Sequence, residues 1–495
     1  MKKCFALLLA FFLLFASVTP GLAASKKKKD DTPTSEPIPE PTLSPNAAKY
    51  DPEHPENLSP DQLYALSAIL ITQDKGEVIF EKDPDVIRYP ASMTKILTVL
   101  LGIQYAESNG ILNDTVTVSE TAVNVPSDSS TMYLTAGEEV HFIDILYGTM
   151  LLSANDGANV IAETVSGSIP QFVELMNQAA AAYGCNSTHF VNAHGYHDDN
   201  HYSTARDIAV IAREAMKNDL FREIAGTVSY TIPRSNKHRA RNITTKSEYM
   251  LTGSEESPNK YYFEYANGIK TGSHSHSGYC FAGSATKEGV DLVSVVMFTG
   301  KRARWADTIK LMNYGFSQYM RVTPVDLVNM NPIIRETSNY STSDPELGKL
   351  RLVCSPLSGN AEIIGTKSEI QRMADNLEDY FLIQYDRSFQ APIEAGEQVG
   401  TLTYVDYESQ QTAVYALKAA RSVAQRENVP KTLEQIIIET YSDPNPFPPF
   451  SFEFAAVLFG PPLLVIGLIA FFIIRHRKKG TRKLRAPKPV NRYVK

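Results

Sequence analysis

The sequence predicts an α+β domain, followed by a small β-sandwich and a C-terminal transmembrane helix. Three observations carry that reading. A short N-terminal strand pair and a later hairpin bracket a block of helical periodicity, the pattern of a single α+β domain. Beyond about residue 322, short strands alternate with Gly, Pro and Ser clusters. Near the end, Phe454 to Ile474 is an uncharged stretch of membrane-spanning length, followed at once by Arg475-His476-Arg477-Lys478-Lys479.

Taken in order, residues 1–24 have the form of a signal peptide. Lys2 and Lys3 precede the apolar run Phe5 to Ala16, and Gly21-Leu22-Ala23-Ala24 offers small residues for cleavage. Residues 25–60 are rich in Lys, Asp, Glu and Pro and read as a disordered spacer. The α+β domain is expected over 61–320. It opens with a strand at Ser67 to Thr72, a turn at Asp74-Lys75-Gly76 and a strand at Glu77 to Glu81. Helical spacing follows at Ile96 to Tyr105, with Gly110 suited to a C-cap. It returns at Ile143 to Leu152, Asn155 to Val165, Pro170 to Ala182 and Asp207 to Lys217. A hairpin of Gly278 to Ala285 and Val290 to Phe298 precedes a helix from Trp305 to Tyr314, closing at Gly315. A β-rich module is expected over 321–428, a Pro-containing linker over 429–453, the membrane span over 454–474 and a basic cytoplasmic tail over 475–495. The basic flank puts the body of the protein outside the cell membrane and the tail inside.

Composition excludes some partners. The formal net charge is −7, and the basic residues are concentrated in the tail, so the body is more acidic still. That argues against nucleic acid and leaves the tail to anionic lipid head groups. Beyond Cys4, only Cys185, Cys280 and Cys354 are present, too few for a disulfide framework; all three read as free, buried thiols.

Three short segments carry the chemistry. Ser92-Met93-Thr94-Lys95 opens a helix, and residues three apart share a face, so hydroxyl and amine can meet. A serine needs a base to become a nucleophile, and a desolvated lysine beside another cation can be that base. Ser153-Ala154-Asn155 ends an apolar helix, and Lys270-Thr271-Gly272 precedes the hairpin, its glycine allowing a substrate backbone to approach. Singly, each tripeptide is common: Ser-x-x-Lys fits a solvated helix face and Ser153 or Asn155 a helix cap. Together, in this order and context, they are the trio of penicillin-binding proteins and class A β-lactamases.

On these residues the chain resembles the low-molecular-mass penicillin-binding proteins, the serine D-Ala-D-Ala carboxypeptidases of peptidase family S11. Tyr89-Pro90-Ala91, His194-Gly195 and His201 to Asp207 add to the likeness, which runs from about Leu63 to Phe316. Ala391-Pro392-Ile393, Gly396 and Val399-Gly400 resemble the family's C-terminal β domain. The resemblance implies a penicillin-binding/β-lactamase-like transpeptidase fold and removal of the terminal D-Ala from peptidoglycan stem peptides through an acyl-enzyme on Ser92. β-Lactams would be inhibitors. It makes Lys95 the base, with Ser153 and Asn155 relaying protons and holding substrate. The amides of Ser92 and Ser273 would form the oxyanion hole, and Lys270, Thr271, Gly272 and Arg304, with Arg302 as competitor, would meet the substrate's carboxylate end. No cofactor and no metal are implied. Ser273-His274-Ser275-His276 departs from the aromatic, His or Thr residue the family often has after Lys-Thr-Gly.

Four rivals remain at this level. A zinc peptidase could draw on His189, His194, His197, His201, Asp198 and Asp199, with His274 and His276 added, but no His-Glu-x-x-His helix is present; activity surviving a chelator excludes it. A β-lactamase would turn penicillin over quickly. A D,D-endopeptidase would cut cross-links, and a catalytically silent penicillin-binding scaffold at the cell wall would be indifferent to Ser92→Ala.

Overall fold

The computed structural model describes residues 45–406, 411–426 and 463–475. They fall into two compact units. One holds the described residues up to Leu327 together with Ala361–Leu377, and the other Val328–Asn360 with those from Glu378 onward.

The first unit is built on β1 (Ser67–Thr72), β2 (Val78–Lys82), β3 (Ala266–His274), β4 (Gly278–Lys287) and β5 (Val290–Thr299). They form an antiparallel sheet in the order β2-β1-β5-β4-β3, so β3 is an edge strand. Helices α1 (Lys95–Asn109), α2 (Phe142–Leu151), α3 (Asn155–Ser166), α4 (Ile169–Ala182), α5 (Ala205–Ala215) and α6 (Asp219–Gly226) intervene between β2 and β3. Helix α7 (Ala303–Gln318) follows β5. Strands alternate sides with period two. Ile69, Ile71, Val293 and Val295 join a core with Ile96, Leu100, Phe142 and Ile161. Leu70, Leu292 and Val296 turn the other way, to Trp305, Leu311 and Phe281. Both faces of the sheet are therefore covered, which explains the near-continuous apolar runs of β1 and β5. Helix α1 is apolar nearly all round because it lies inside the first core.

Several expectations need correction. Residues 45–60 are part of the fold: Ala47 and Leu58 are buried, and Lys310 Nζ donates to Ala47 O (2.9 Å) and Gln62 O (2.6 Å). Their polar composition concealed contacts made through backbone carbonyls. Gly315 does not close α7 but sits inside it, where a Cβ would lie 2.5 Å from Leu292 Cδ1. The β-rich module is not contiguous over 321–428. The strand at Ile363–Thr366 pairs with Tyr319–Val322 in the first unit. In the second unit β6 (Ile334–Glu336), β7 (Lys349–Ser358), β8 (Leu382–Tyr385), β9 (Gln398–Val405) and β10 (Thr412–Ala419) make one sheet, ordered β6-β7-β10-β9-β8. Among the described residues of this unit these strands form a single five-stranded sheet, and the second sheet of the expected sandwich is not seen. Cys185, Cys280 and Cys354 are free and buried.

No helix among the described residues is long and apolar enough to cross a membrane. Of the expected span, only 463–474 lies among them, in a helix over 463–475 that exposes Leu463, Ile466, Phe471 and Ile474. The expected signal peptide, the linker over 429–453 and the tail beyond 475 lie outside the described residues.

Candidate active site

Ser92 lies in a 3-10 turn, Ala91–Thr94, that leads directly into α1 at Lys95. Met93 and Thr94 are buried and anchor the turn, leaving Ser92 partly accessible. Thr94 Oγ1 donates to Ala91 O (2.8 Å) and lies 2.8 Å from His201 Nε2. Because His201 Nδ1 accepts from the Val191 amide (3.1 Å), its proton resides on Nε2 and points at Thr94. Burial holds the His201 pKa down to about 3, so the ring stays neutral. Gly195 closes the turn from the other side. Its φ is +79°, and a Cβ there would lie 1.9 Å from Ala91 O.

Lys95 is fully buried, and its Nζ meets Ser92 Oγ at 3.0 Å, Asn155 Oδ1 at 2.7 Å and His194 O at 2.6 Å. Burial pushes its pKa well below the usual lysine value, and the charges of Lys270 and Lys246 push the same way, against Asp156. A neutral amine can keep two of these bonds and turn its lone pair to the Ser92 hydroxyl. Asn155 opens α3, its Nδ2 donating to Ser129 Oγ (3.0 Å) and its amide to Ser130 O (2.7 Å). The start of α3 is fixed by Asp156, whose carboxylate accepts from the amides of Met132 and Leu134, both at 3.0 Å. Ser153, in the α2–α3 turn, is nearly buried and held at φ +61°, a costly conformation for a non-glycine residue.

Lys270, Thr271, Gly272 and Ser273 lie on edge strand β3. A Cβ on Gly272 would fall 2.7 Å from Pro90 O and 3.3 Å from Met93 Cγ, so the strand runs tightly beside the Ser92 turn. The glycine makes room for that turn as well as for the substrate backbone anticipated from sequence. Lys270 is buried, with its pKa brought down to about 7 by burial, then by Lys246 and Arg304. Ser273 is exposed. Arg304, in the first turn of α7, is buried with its guanidinium 4.3 Å from the Trp305 ring and 5.2 Å from that of Tyr279. Arg302 is exposed at the helix N-cap.

The structure thus joins Ser92, Lys95 and Asn155 by direct hydrogen bonds and couples Lys270 to Lys95 by charge. Two participants take roles not anticipated from sequence. Lys246 Nζ donates to Ser130 Oγ (2.9 Å) and acts electrostatically on both active-site lysines. His201 braces the nucleophile turn. Neither has a local spacing that announces it. The histidines weighed as zinc ligands separate: His189 Nδ1 lies 2.6 Å from Asn200 O, and His194 Nδ1 accepts from the Tyr196 amide, while His197, His274 and His276 come together.

The family model described as D-alanyl-D-alanine carboxypeptidase matches residues 54–300. The D-alanyl-D-alanine carboxypeptidase of Streptomyces sp. strain K15 is 31% identical over 264 residues, 51% of this chain and 87% of that protein. The chain belongs to the D-alanyl-D-alanine carboxypeptidase family. Another member, DacF of Bacillus subtilis, is 29% identical over 364 residues, 73% of this chain and 86% of the relative. Among solved structures, penicillin-binding protein 5 of Haemophilus influenzae is 26% identical, covering 74% of this chain and all of that one with a TM-score of 0.49. The matched residues contain the Ser92, Ser153 and Lys270 segments.

Proposed function

We propose that this D-alanyl-D-alanine carboxypeptidase uses Ser92 as its nucleophile and Lys95 as its base, on peptidoglycan stem pentapeptides. The observation that carries the reading is the buried Lys95 amine, 3.0 Å from Ser92 Oγ with its pKa pushed down. Ser92 Oγ attacks the carbonyl carbon of the bond between the two D-alanines as its proton passes to Lys95 Nζ. The oxyanion faces the backbone amides of Ser92 and Ser273. Lys270, Thr271 and Arg304 hold the terminal carboxylate, with Gly272 leaving room for the substrate backbone beside the Ser92 turn. Collapse of the intermediate breaks the C–N bond, and the leaving amine takes a proton relayed from Lys95 through Ser153. Water, activated by the same amine, then hydrolyses the ester. A β-lactam enters as a mimic of the same dipeptide, and its acyl-enzyme is the long-lived one.

Comparing D-alanine release from diacetyl-Lys-D-Ala-D-Ala with cleavage of a cross-linked muropeptide dimer tests the assignment. The carboxypeptidase reading predicts that release is faster; preferential cutting of the cross-link makes the protein an endopeptidase. Attachment to the cell membrane, with the catalytic unit outside, is part of the proposal. Its support is the uncharged stretch 454–474 with its basic flank and the exposed apolar side chains of helix 463–475. Resistance of the full-length protein to carbonate extraction is the expected result, and release by carbonate contradicts it.

A further inference from the structure

Beside the Ser92 site, three histidines converge from two loops. His197 belongs to the loop that delivers His194 O to Lys95, His274 ends β3, and His276 lies on the turn to β4. Their candidate ligand nitrogens all lie within 4.8 Å of one another. The His197 and His276 rings stack at 3.8 Å with 9° between planes, and His197 and His274 are 5.0 Å apart at 46°.

We propose that His197, His274 and His276 bind one divalent transition-metal ion of the zinc class, and that its binding slows acylation of Ser92. The ion is a regulator at the rim of the site and takes no part in the serine chemistry.

The neighbouring groups show which nitrogens are ready. His197 Nε2 lies 3.5 Å from an Asp199 carboxylate oxygen, which favours the proton on that nitrogen. Its Nδ1 is buried and has no hydrogen-bond partner among the described residues. A carboxylate on one imidazole nitrogen and a bare lone pair on the other is how metal-bound histidines are oriented. Asp199 is itself steadied by Tyr89 Oη (3.4 Å), whose ring packs edge-on against His197 at 4.7 Å. His276 Nδ1 lies 3.1 Å from Ser275 Oγ, so it can give its proton to that hydroxyl and present Nε2. Imidazole ligands suit zinc, nickel, cobalt and copper rather than magnesium or calcium.

Geometry also sets the cost. In a tetrahedral zinc site with Zn–N of about 2.0 Å, ligand nitrogens are about 3.3 Å apart. The three rings must therefore close up, and one member of the stacked pair must tilt so that both lone pairs converge. His274 has furthest to go. Its Nδ1 accepts from the amides of His276 (3.1 Å) and Ser277 (3.0 Å), so its proton sits on Nε2. Ligation through Nδ1 displaces those amides; ligation through Nε2 moves the proton to Nδ1 and turns it against them. Either way the turn reorganises next to Ser273. The slowing of acylation rests on the reading of the Ser273 amide as an oxyanion donor, whereas metal binding does not.

The test uses full-length protein stripped with a chelator. Co²⁺ absorption and competition by Zn²⁺ report binding directly, and penicillin acylation is timed with and without Zn²⁺. One ion per chain with micromolar affinity is expected, weakened at least tenfold in His197→Gln and in His276→Gln. Zn²⁺ should slow acylation of the wild type severalfold and leave the double variant unaffected. Absence of saturable binding, or equal affinity in the double variant, overturns the site. Binding of one ion without any slowing overturns the regulatory half and leaves Ser92 catalysis intact. Should His197→Gln fail to fold, His276→Gln carries the same comparison.

Discussion

At the residue scale, the chemistry depends on an amine that the fold keeps short of charge. Lys95 is reactive when neutral, so acylation must fall as pH drops through its pKa. Lys246 helps to lower that pKa, and its removal lets the pKa rise. Lys246→Gln should therefore move the acid limb of the penicillin acylation profile to higher pH while the plateau above it is retained. A limb that stays put or moves down shows that Lys246 does not tune the base. Replacing Lys95 with Ala removes the base itself and should lower acylation by about 10²–10⁴-fold, read by stopped-flow with a fluorescent penicillin. Ser92 and Lys95 were legible because one helical turn brings residues three apart together. Lys246 was not, since its position beside Ser130 is a tertiary contact with no local signature.

At the scale of elements, the site is a seam between the Ser92 turn, the loop through His194 and edge strand β3. The seam is tight enough to be probed by single methyl groups. Gly195→Ala pushes a Cβ into Ala91 O at a φ that side chains rarely adopt, and should cost about 2–4 kcal/mol of stability. Thermal unfolding checks it, and a melting temperature unchanged from the wild type contradicts the packing described. The elements themselves were largely readable. The strand pair, the helices from α1 to α5 and the β4–β5 hairpin follow from periodicity and from turn residues such as Gly76 and Gly110, both at positive φ. Gly315 misled because its role is close packing against Leu292 and Leu70 inside α7, which looks in sequence like a stop signal.

At the scale of the whole molecule, the catalytic unit is wider in sequence than its motifs. The segment 45–60 is polar in composition, yet Ala47 and Leu58 are buried and Lys310 reaches back to Ala47 O at 2.9 Å. Removing the chain through residue 60 should lower the melting temperature by several degrees, because the buried Lys310 amine then loses an acceptor; an unchanged value means that the segment is only laid on the surface. The return of Ala361–Leu377 to the first unit was equally hidden, since strand pairing at long separation leaves no periodicity to read. All these parts serve one claim, that Ser92 is acylated by a D-Ala-D-Ala mimic and released by water. The most direct test is intact mass of the full-length protein after incubation with penicillin, beside a Ser92→Ala variant, with D-alanine release followed in parallel. A single penicilloyl adduct on the wild type, absent from the variant, together with D-alanine release that also requires Ser92, is the predicted result. An adduct that persists in Ser92→Ala, or no adduct on the wild type, contradicts it.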